Sequence, residues 1–308
     1  MQSAYISRLL ELAEKDNRIC HLLADSGTNY DEVFRRNFPE RMFNFGITEQ
    51  NTIGIAAGMA SGGKIPFVFL QGSFITYRAM EFVRDDVCFQ NVNVKLTGQG
   101  SGISWSGLGP SHQTTEDIAV LRVLPNIHIF SPATPLQVKF CLDQMYEIKG
   151  PCYMRIGMNG EKEYFDDHYS MPESGQDILS SGDDILIFST GSILEEVIDA
   201  LPLLSHAGIK ASVVNVVRIK PFNEDIILSY LGKVKKIFSV EEHQITGGLG
   251  SIICEVLASR GIGGLPVCRI GFNDTFARGY APSQKELRIE NQLDAASLAK
   301  RIMDEFYK

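Results

Sequence analysis

Short apolar runs alternate with stretches of helical periodicity along most of the 308 residues. In the first half of the chain the apolar runs predict strands at 18–24, 42–45, 66–70, 93–97, 127–130 and 152–156. Helical periodicity occupies the intervening stretches 7–14, 50–60, 75–89, 116–124 and 135–146. Strands that alternate with helices form right-handed βαβ units, which build a largely parallel sheet with both faces covered. The pattern therefore predicts an α/β fold.

The alternation stops at 157–183, a polar stretch rich in Gly, Asp, Glu and Ser. This composition is typical of a linker between domains. A second alternating series follows at 185–189, 194–204, 210–217, 224–230, 236–240, 249–259 and 267–270, and a last helix is predicted at 295–306. The sequence thus predicts two consecutive three-layer α/β domains with mostly parallel sheets, comprising residues 1–174 and 175–308.

The composition narrows the class of partner. A net charge of −8 argues against nucleic-acid binding, which normally requires a basic surface. No apolar run approaches the ~20 residues of a membrane span, and the N-terminus lacks a secretion signal pattern. We therefore expect a cytoplasmic protein that does not bind membranes. Six scattered cysteines without a Cys-x-x-Cys pair, and six histidines without metal-ligand spacing, indicate reduced thiols and no metal site.

Glu49 is the most informative residue of the chain. An apolar segment, 42–45, ends just before Gly46, and Glu49 then opens a helix of small apolar residues at 50–60. Such a helix must be buried, so we expect Glu49 to be buried with it. A carboxylate near a helix N-terminus often serves only as a cap. A buried one, however, needs a partner that offsets its desolvation.

An aromatic cluster follows the apolar run 65–70. Phe74 and Tyr77 lie just beyond it, where the carboxyl end of a parallel strand is expected to bind ligands. An aromatic ring at this position can stack on a flat heterocycle, and Phe74 is the better candidate. Arg78 and Arg84 either face the same site or form surface salt bridges.

A glycine- and serine-rich loop at 98–113 ends in Gly109-Pro110-Ser111-His112-Gln113. The loop has neither the Gly-Lys-Ser/Thr nor the Gly-x-Gly-x-x-Gly order of phosphate-binding loops. His112 is a candidate to hydrogen-bond a substrate oxygen, although a surface histidine is the alternative. Arg155, which ends the run 152–156, is out of place in a buried strand unless it meets an anion.

The segments Gly46-Ile47-Thr48-Glu49-Gln50 and Gly109-Pro110-Ser111-His112-Gln113 resemble motifs of the transketolase family, and 240–250 resembles its C-terminal domain. The similarity runs from about residue 3 to residue 302. It implies a pyrimidine-binding domain followed by a transketolase C-terminal domain. The implied reaction transfers a two-carbon ketol unit from a ketose or ketose phosphate to an aldehyde, with thiamine diphosphate and Mg²⁺ as cofactors.

The resemblance also implies roles for individual residues. Glu49 would hydrogen-bond and activate the aminopyrimidine of the cofactor, and His112 would contact substrate oxygens. Further cofactor contacts are expected from Phe74, Tyr77, Arg78 and Asp25, with Asp25 near the thiazolium. Arg155 would bind a substrate phosphate. His243 is expected to be structural or interfacial.

Three positions depart from the family pattern, where Leu108 replaces an acidic residue, Gly100 a histidine and Gln2 an arginine. An apolar Leu108 leaves an acceptor hydroxyl unpaired, at a cost of roughly 1–3 kcal/mol. We therefore expect altered acceptor recognition. Of the phosphate-binding positions that can be placed on this chain, Arg155 alone keeps its arginine.

The family's diphosphate-and-magnesium motif, Gly-Asp-Gly followed later by Asn, does not occur in the sequence. We therefore expect an N-terminal partner subunit that holds the diphosphate and most of the Mg²⁺, in an α₂β₂ assembly. Four alternatives are weighed at this point: the β subunit of a 2-oxoacid dehydrogenase, a relative of 1-deoxyxylulose-5-phosphate synthase, a non-catalytic scaffold subunit, and a flavodoxin-like binding module. The last is disfavoured because two fused α/β domains exceed what such a module needs.

Overall fold

A computed structural model describes residues 1–25, 31–166 and 168–308. The strands are β1 Ile19–Leu23, β2 Met42–Asn44, β3 Ile65–Gln71, β4 Lys95–Gln99, β5 His128–Phe130, β6 Cys152–Ile156, β7 Gln176–Ser180, β8 Ile185–Thr190, β9 Ala211–Val216, β10 Arg218–Lys220, β11 Lys236–Gln244 and β12 Val267–Phe272. The helices are α1 Gln2–Lys15, α2 Asp31–Asn37, α3 Glu49–Ser61, α4 Met80–Phe82, α5 Asp117–Arg122, α6 Pro135–Glu147, α7 Leu194–His206, α8 Asp225–Ser229, α9 Leu249–Ser259, α10 Gln284–Glu290 and α11 Ala295–Phe306. Two 3₁₀ turns, Pro39–Arg41 and Gly191–Ile193, and two π-helical segments, Phe74–Arg78 and Val83–Phe89, complete the described elements.

The first sheet has the strand order β10-β5-β6-β4-β3-β1-β2. Its pairs are parallel except for the edge pair β10–β5. All seven residues of β3 are buried, as expected for a parallel strand covered on both faces. This architecture confirms the predicted α/β fold.

The second sheet has the order β12-β11-β8-β9-β7 and is parallel except for the edge pair β9–β7. β7 lies within the stretch 157–183, so the prediction of a linker there is wrong for residues 176–180. As an edge strand, β7 leaves Ile178 exposed, and it therefore lacks the continuous apolar run of a central strand.

One strand of the first sheet comes from the part of the chain beyond the predicted domain boundary. β10 follows β9 after a single residue, yet it pairs with β5 of the first sheet, where Arg218 lies opposite Phe130. The division at 174/175 stays a prediction.

The helix predicted at 75–89 is interrupted. α4 is flanked by two π-helical segments, Phe74–Arg78 and Val83–Phe89. The hydroxyl of Thr76, in the first of these segments, donates to the carbonyl of Gly72, which precedes the segment, at 2.9 Å. π-Helical turns are frequent at functional sites, because they shift side chains away from ordinary helical register.

Among the described residues, no helix is long and apolar enough to cross a membrane. All six cysteines lie in the described ranges and are free thiols, four of them buried, as the sequence predicted.

A carboxylate at the end of α1 is hydrogen-bonded to α6. Asp16, which follows α1, accepts hydrogen bonds from the Arg18 guanidinium at 2.7 Å and from the Tyr146 hydroxyl at 3.0 Å. The Arg18 hydrogen bonds are the larger cause of a fall in the pKa of Asp16 to about 2. Because the folded pKa lies below the ordinary value, this carboxylate stabilises the fold above about pH 4 and loses that effect as the pH falls toward 2.

We expect Asp16→Asn to lower the free energy of unfolding by about 1 kcal/mol at pH 7, a modest value because Arg18 is more than half exposed. The difference from wild type should shrink as the pH falls from 4 to 2, measured by urea denaturation. Asp304→Asn, at an exposed carboxylate, is the matched control. A difference that does not change with pH would contradict this account.

Candidate functional site

The predicted site residues meet at the carboxyl edge of the first sheet. β4, β3, β1 and β2 are neighbours and run parallel. The segments that leave their carboxyl ends carry Gly100 and His112, Phe74, Asp25 and Glu49, respectively. Parallel strands bring their ends to one edge, which is where open α/β sheets bind ligands.

Glu49 is the first residue of α3 and only 2% exposed, so its predicted burial is confirmed. Its two carboxylate oxygens each accept a hydrogen bond from Nη1 of Arg78 at 2.8 Å. The start of the helix also favours a negative charge here. In this structure, the partner that a buried carboxylate needs is supplied by the chain itself.

Arg78 lies between Glu49 and an aromatic ring. Its guanidinium carbon is 4.0 Å from the ring centroid of Phe74, close enough for a cation–π contact. Phe74 and Arg78 are the first and last residues of the first π-helical segment. The planar guanidinium of Arg78 thus has the carboxylate of Glu49 at its edge and the ring of Phe74 on its face.

His112 borders this arrangement. Its ring centroid is 5.2 Å from that of Phe74, with the rings edge to face. Its Nδ1 is 2.9 Å from the hydroxyl of Ser111, and its backbone carbonyl accepts from the Gln71 side chain at 2.6 Å. The end of β3 therefore fixes the backbone at His112.

Trp105 is a neighbour that the sequence analysis missed. Its ring centroid is 6.1 Å from that of His112, and its indole N–H donates to the side chain of Gln71. A Cβ atom at Gly100 would overlap the indole nitrogen, and the backbone there has φ +77°. Glycine is therefore required at position 100. Trp105 is the single tryptophan of the sequence, and its position in the glycine-rich loop that carries His112 could have identified it as a site residue.

Tyr77 and Leu108 lie on the outer side of the cluster. The Tyr77 hydroxyl donates to the carboxylate of Glu116, and burial together with that carboxylate raises the pKa of Tyr77. This contact turns the phenol toward Glu116, whereas Phe74 contacts Arg78. Leu108 is 49% exposed in the loop that leads to His112.

Asp25 is exposed beyond the end of β1 and adopts φ +53°. Its backbone N–H donates to the side chain of Asn44 at 3.0 Å, and Gly46 N–H donates to the same oxygen at 3.1 Å. A non-glycine residue in this region of φ is uncommon, and Asp and Asn adopt it more readily than most. Asn44 thus connects Asp25 to the segment that leads into Glu49.

Arg155 lies in a different environment from the one predicted. It is 2% exposed, and its Nε donates to the carboxylate of Asp117 at 2.9 Å. Its Nη2 donates to the carbonyls of Thr114 at 3.1 Å and Glu242 at 3.4 Å. The anion that Arg155 needs is therefore a side chain of the protein. In this structure the guanidinium thus joins α5 of the first domain to β11 of the second, and the phosphate contact of Arg155 stays a prediction.

His243 also lies between the domains and is completely buried. Its Nε2 accepts from the backbone N–H of Ala119 in α5 at 3.3 Å, and its Nδ1 lies 2.7 Å from the carbonyl of Gln244. These contacts agree with a structural or interfacial histidine. Within the described part of the chain, no three His, Cys, Asp or Glu side chains are grouped to hold a metal ion.

We expect Arg155→Met to lower the free energy of unfolding by about 3–5 kcal/mol, because Asp117 would remain buried without its cation. The double variant Asp117→Asn/Arg155→Met should recover part of this loss in a urea titration. A single variant as stable as wild type would contradict the structural role.

Residues 1–158 match the family model of the transketolase pyrimidine binding domain, and residues 176–295 match that of the transketolase C-terminal domain. A protein of Methanocaldococcus jannaschii described as a transketolase C-terminal section is 39% identical, covering 100% of this chain and 96% of its own length. One of the subunits of the apulose-4-phosphate transketolase of Actinobacillus succinogenes is 35% identical over 95% of this chain and 94% of its own.

A solved structure described as a split gene transketolase, inactive β4 tetramer, superposes with a TM-score of 0.88. The two sequences are 32% identical, and the superposition covers 99% of this chain and 98% of that one. Both domains, their order and the fold thus agree with one family. The chain belongs to the transketolase family and comprises the pyrimidine-binding and C-terminal domains of that family.

Proposed function

We propose that this chain is one subunit of a thiamine-diphosphate-dependent transketolase, active with a second subunit. The reaction transfers a two-carbon ketol unit from a ketose or ketose phosphate to an aldehyde acceptor. Membership of the transketolase family supports the type of reaction, and the arrangement around Glu49 supports the place where the cofactor binds.

The observation that carries the proposal is the pair formed by Glu49 and Phe74. Between them they hold a planar group with N–H donors, the guanidinium of Arg78, by 2.8 Å hydrogen bonds and a 4.0 Å stacking distance. An aminopyrimidine is also planar, carries N–H donors and stacks on aromatic rings. The residues present therefore fit the pyrimidine end of the cofactor.

Thiamine diphosphate, when bound, supplies the electron sink for breaking a carbon–carbon bond next to a carbonyl. In the proposed site, Glu49 would hydrogen-bond N1′ of the pyrimidine, and Phe74 would stack on its ring. With the Ser111 hydroxyl donating to Nδ1, a contact of 2.9 Å, His112 would carry its proton on Nε2 and would donate from there to a substrate oxygen. Asp25 is the candidate contact for the thiazolium.

The relatives support a partner subunit. One is named as a single subunit of a transketolase, one as a C-terminal section and one as a split gene product. We propose an N-terminal transketolase subunit that holds the diphosphate and most of the Mg²⁺, in an α₂β₂ assembly.

Acceptor recognition is proposed to differ from that of pentose phosphate transketolases. Leu108 offers no hydrogen bond to an acceptor hydroxyl, and the indole of Trp105 fills the space beside Gly100. The A. succinogenes relative, named for a sugar phosphate, supports phosphorylated substrates. Since Arg155 is committed to Asp117, we propose that a substrate phosphate is bound by other residues.

The first test is calorimetry with thiamine diphosphate and Mg²⁺, on the chain alone and on the chain mixed with a transketolase N-terminal section from the same organism. We expect binding in the mixture. The absence of binding in both samples, with a partner shown to associate, would favour a non-catalytic scaffold.

The mixture should then turn over sugar phosphates. Ordinary efficiency with xylulose 5-phosphate and ribose 5-phosphate would contradict altered acceptor recognition. Oxidation of pyruvate with an artificial electron acceptor, in place of ketol transfer, would favour the β subunit of a 2-oxoacid dehydrogenase.

We expect Glu49→Gln to reduce the kcat of the mixture by about 100-fold or more, because an amide replaces the acid–base group at the pyrimidine. The fold should persist, since Arg78 is half-exposed and tolerates the loss of its partner. Glu81→Gln, at an exposed carboxylate on α4, is the control and should retain activity. Full activity of the Glu49 variant would remove Glu49 from the mechanism.

A further inference from the structure

Arg78 makes the two contacts that the proposed cofactor requires. It donates to both oxygens of Glu49 and lies over the ring of Phe74. A carboxylate buried at a helix start and a single aromatic face cannot serve two planar groups at the same place. The guanidinium and an aminopyrimidine must therefore exclude each other.

We propose that Arg78 is an internal stand-in for the cofactor, occupying the pyrimidine position in the free chain and leaving when thiamine diphosphate binds. This inference rests on the proposed function. It replaces the expectation that Arg78 is a cofactor ligand with a competitive role.

The stand-in meets a need of the free chain. Glu49 is 2% exposed, and without a partner its charge would be desolvated at a large cost. Arg78 supplies that partner when the cofactor is absent. The bound aminopyrimidine supplies it afterwards, so Glu49 is hydrogen-bonded in both states and the site does not have to collapse between them.

Arg78 is also able to leave. Its side chain is 39% exposed, unlike the sealed arginine at position 155. A long side chain with one face in solvent can rotate outward through its own torsions without moving the backbone. The π-helical segment ends at Arg78 itself, because the backbone of the next residue, Ala79, is no longer helical (φ −109°, ψ 17°).

Competition of this kind has a measurable consequence. If the site is available only in the fraction of molecules whose Arg78 has swung out, the apparent dissociation constant is the intrinsic value divided by that fraction. Removing the stand-in should therefore tighten cofactor binding, whereas removing a ligand would weaken it.

The test is calorimetric titration of thiamine diphosphate into the assembled two-subunit complex at saturating Mg²⁺. The variants are Arg78→Met, which keeps an apolar stem, and Arg78→Lys, which keeps the charge without the flat group. Arg84→Met is the matched control, because Arg84 is exposed and pairs with its neighbour Asp85. The emission spectrum of Trp105, measured on each chain before assembly, checks that the loop around His112 is intact.

We expect Arg78→Met to lower the dissociation constant by about 3- to 10-fold, the range for a partly exposed ion pair with a stacking contact. Arg78→Lys should lie between it and wild type, and Arg84→Met should match wild type. In a Glu49→Gln background, Arg78→Met should change the affinity little further, because the stand-in has already lost its carboxylate.

Binding by Arg78→Met that equals or is weaker than that of wild type would overturn the stand-in while leaving the proposed function in place. If neither wild type nor any variant binds in the assembled complex, the proposed function fails and the stand-in fails with it. Should Arg78→Met prove unstable, Arg78→Lys decides, and binding by that variant that equals or is weaker than that of wild type would overturn the stand-in.

Discussion

A carboxylate taken out of water needs a cation or several hydrogen-bond donors, and much of this structure is arranged around that need. Asp117 meets Arg155, and Glu242 meets Arg288, at distances of 2.9 and 2.5 Å between nitrogen and oxygen. Both arginines are almost completely buried, with side chains 2% and 5% exposed. Glu49 meets Arg78, which is 39% exposed. The first pair lies within the first domain and the second within the second domain, and Arg155 also donates across the domain boundary to the carbonyl of Glu242. The third pair is the one that we propose exchanges its partner. The three carboxylates are all buried, so the exposure of the arginine is what distinguishes the two structural ion pairs from the pair at the proposed cofactor site.

The alternation of apolar and helical patterns was enough to predict the layered architecture, because parallel strands must be apolar on both faces. β6, α9 and α11 were predicted to the residue. β7 and β10 were missed for a common reason, since each is an edge strand whose position depends on a distant partner. β10 has three residues, and only its pairing with β5 makes it a strand. The π-helical segments beside α4 were also beyond prediction, because they keep the composition of an ordinary helix while changing its register.

For the site, the sequence located the residues but not their partners. Glu49, Phe74, Arg78 and His112 converge because parallel strands bring their carboxyl ends to one edge, which the predicted βαβ alternation implies. The environment of Arg155 was not predictable in the same way. Its position in a buried strand indicated an anion, yet nothing local distinguishes a substrate phosphate from Asp117, which lies 38 residues away. Sequence patterns thus identify a charge that needs a partner, and only the tertiary structure identifies the partner.

The second domain directly contacts the loop that carries part of this site. The carboxylate of Glu242, on β11, accepts the backbone N–H of Ile103 at 3.3 Å, inside the glycine-rich loop that carries Trp105 and His112. The same carboxylate is held by Arg288 and by Gln284 of α10, the latter at 2.8 Å. A Cβ atom at Gly102 would overlap the side chain of Glu242, so the loop and the second domain are in direct contact. A loop rich in glycine is mobile by itself, and this buried network limits its freedom. The loop that carries His112 is therefore held by residues of both domains.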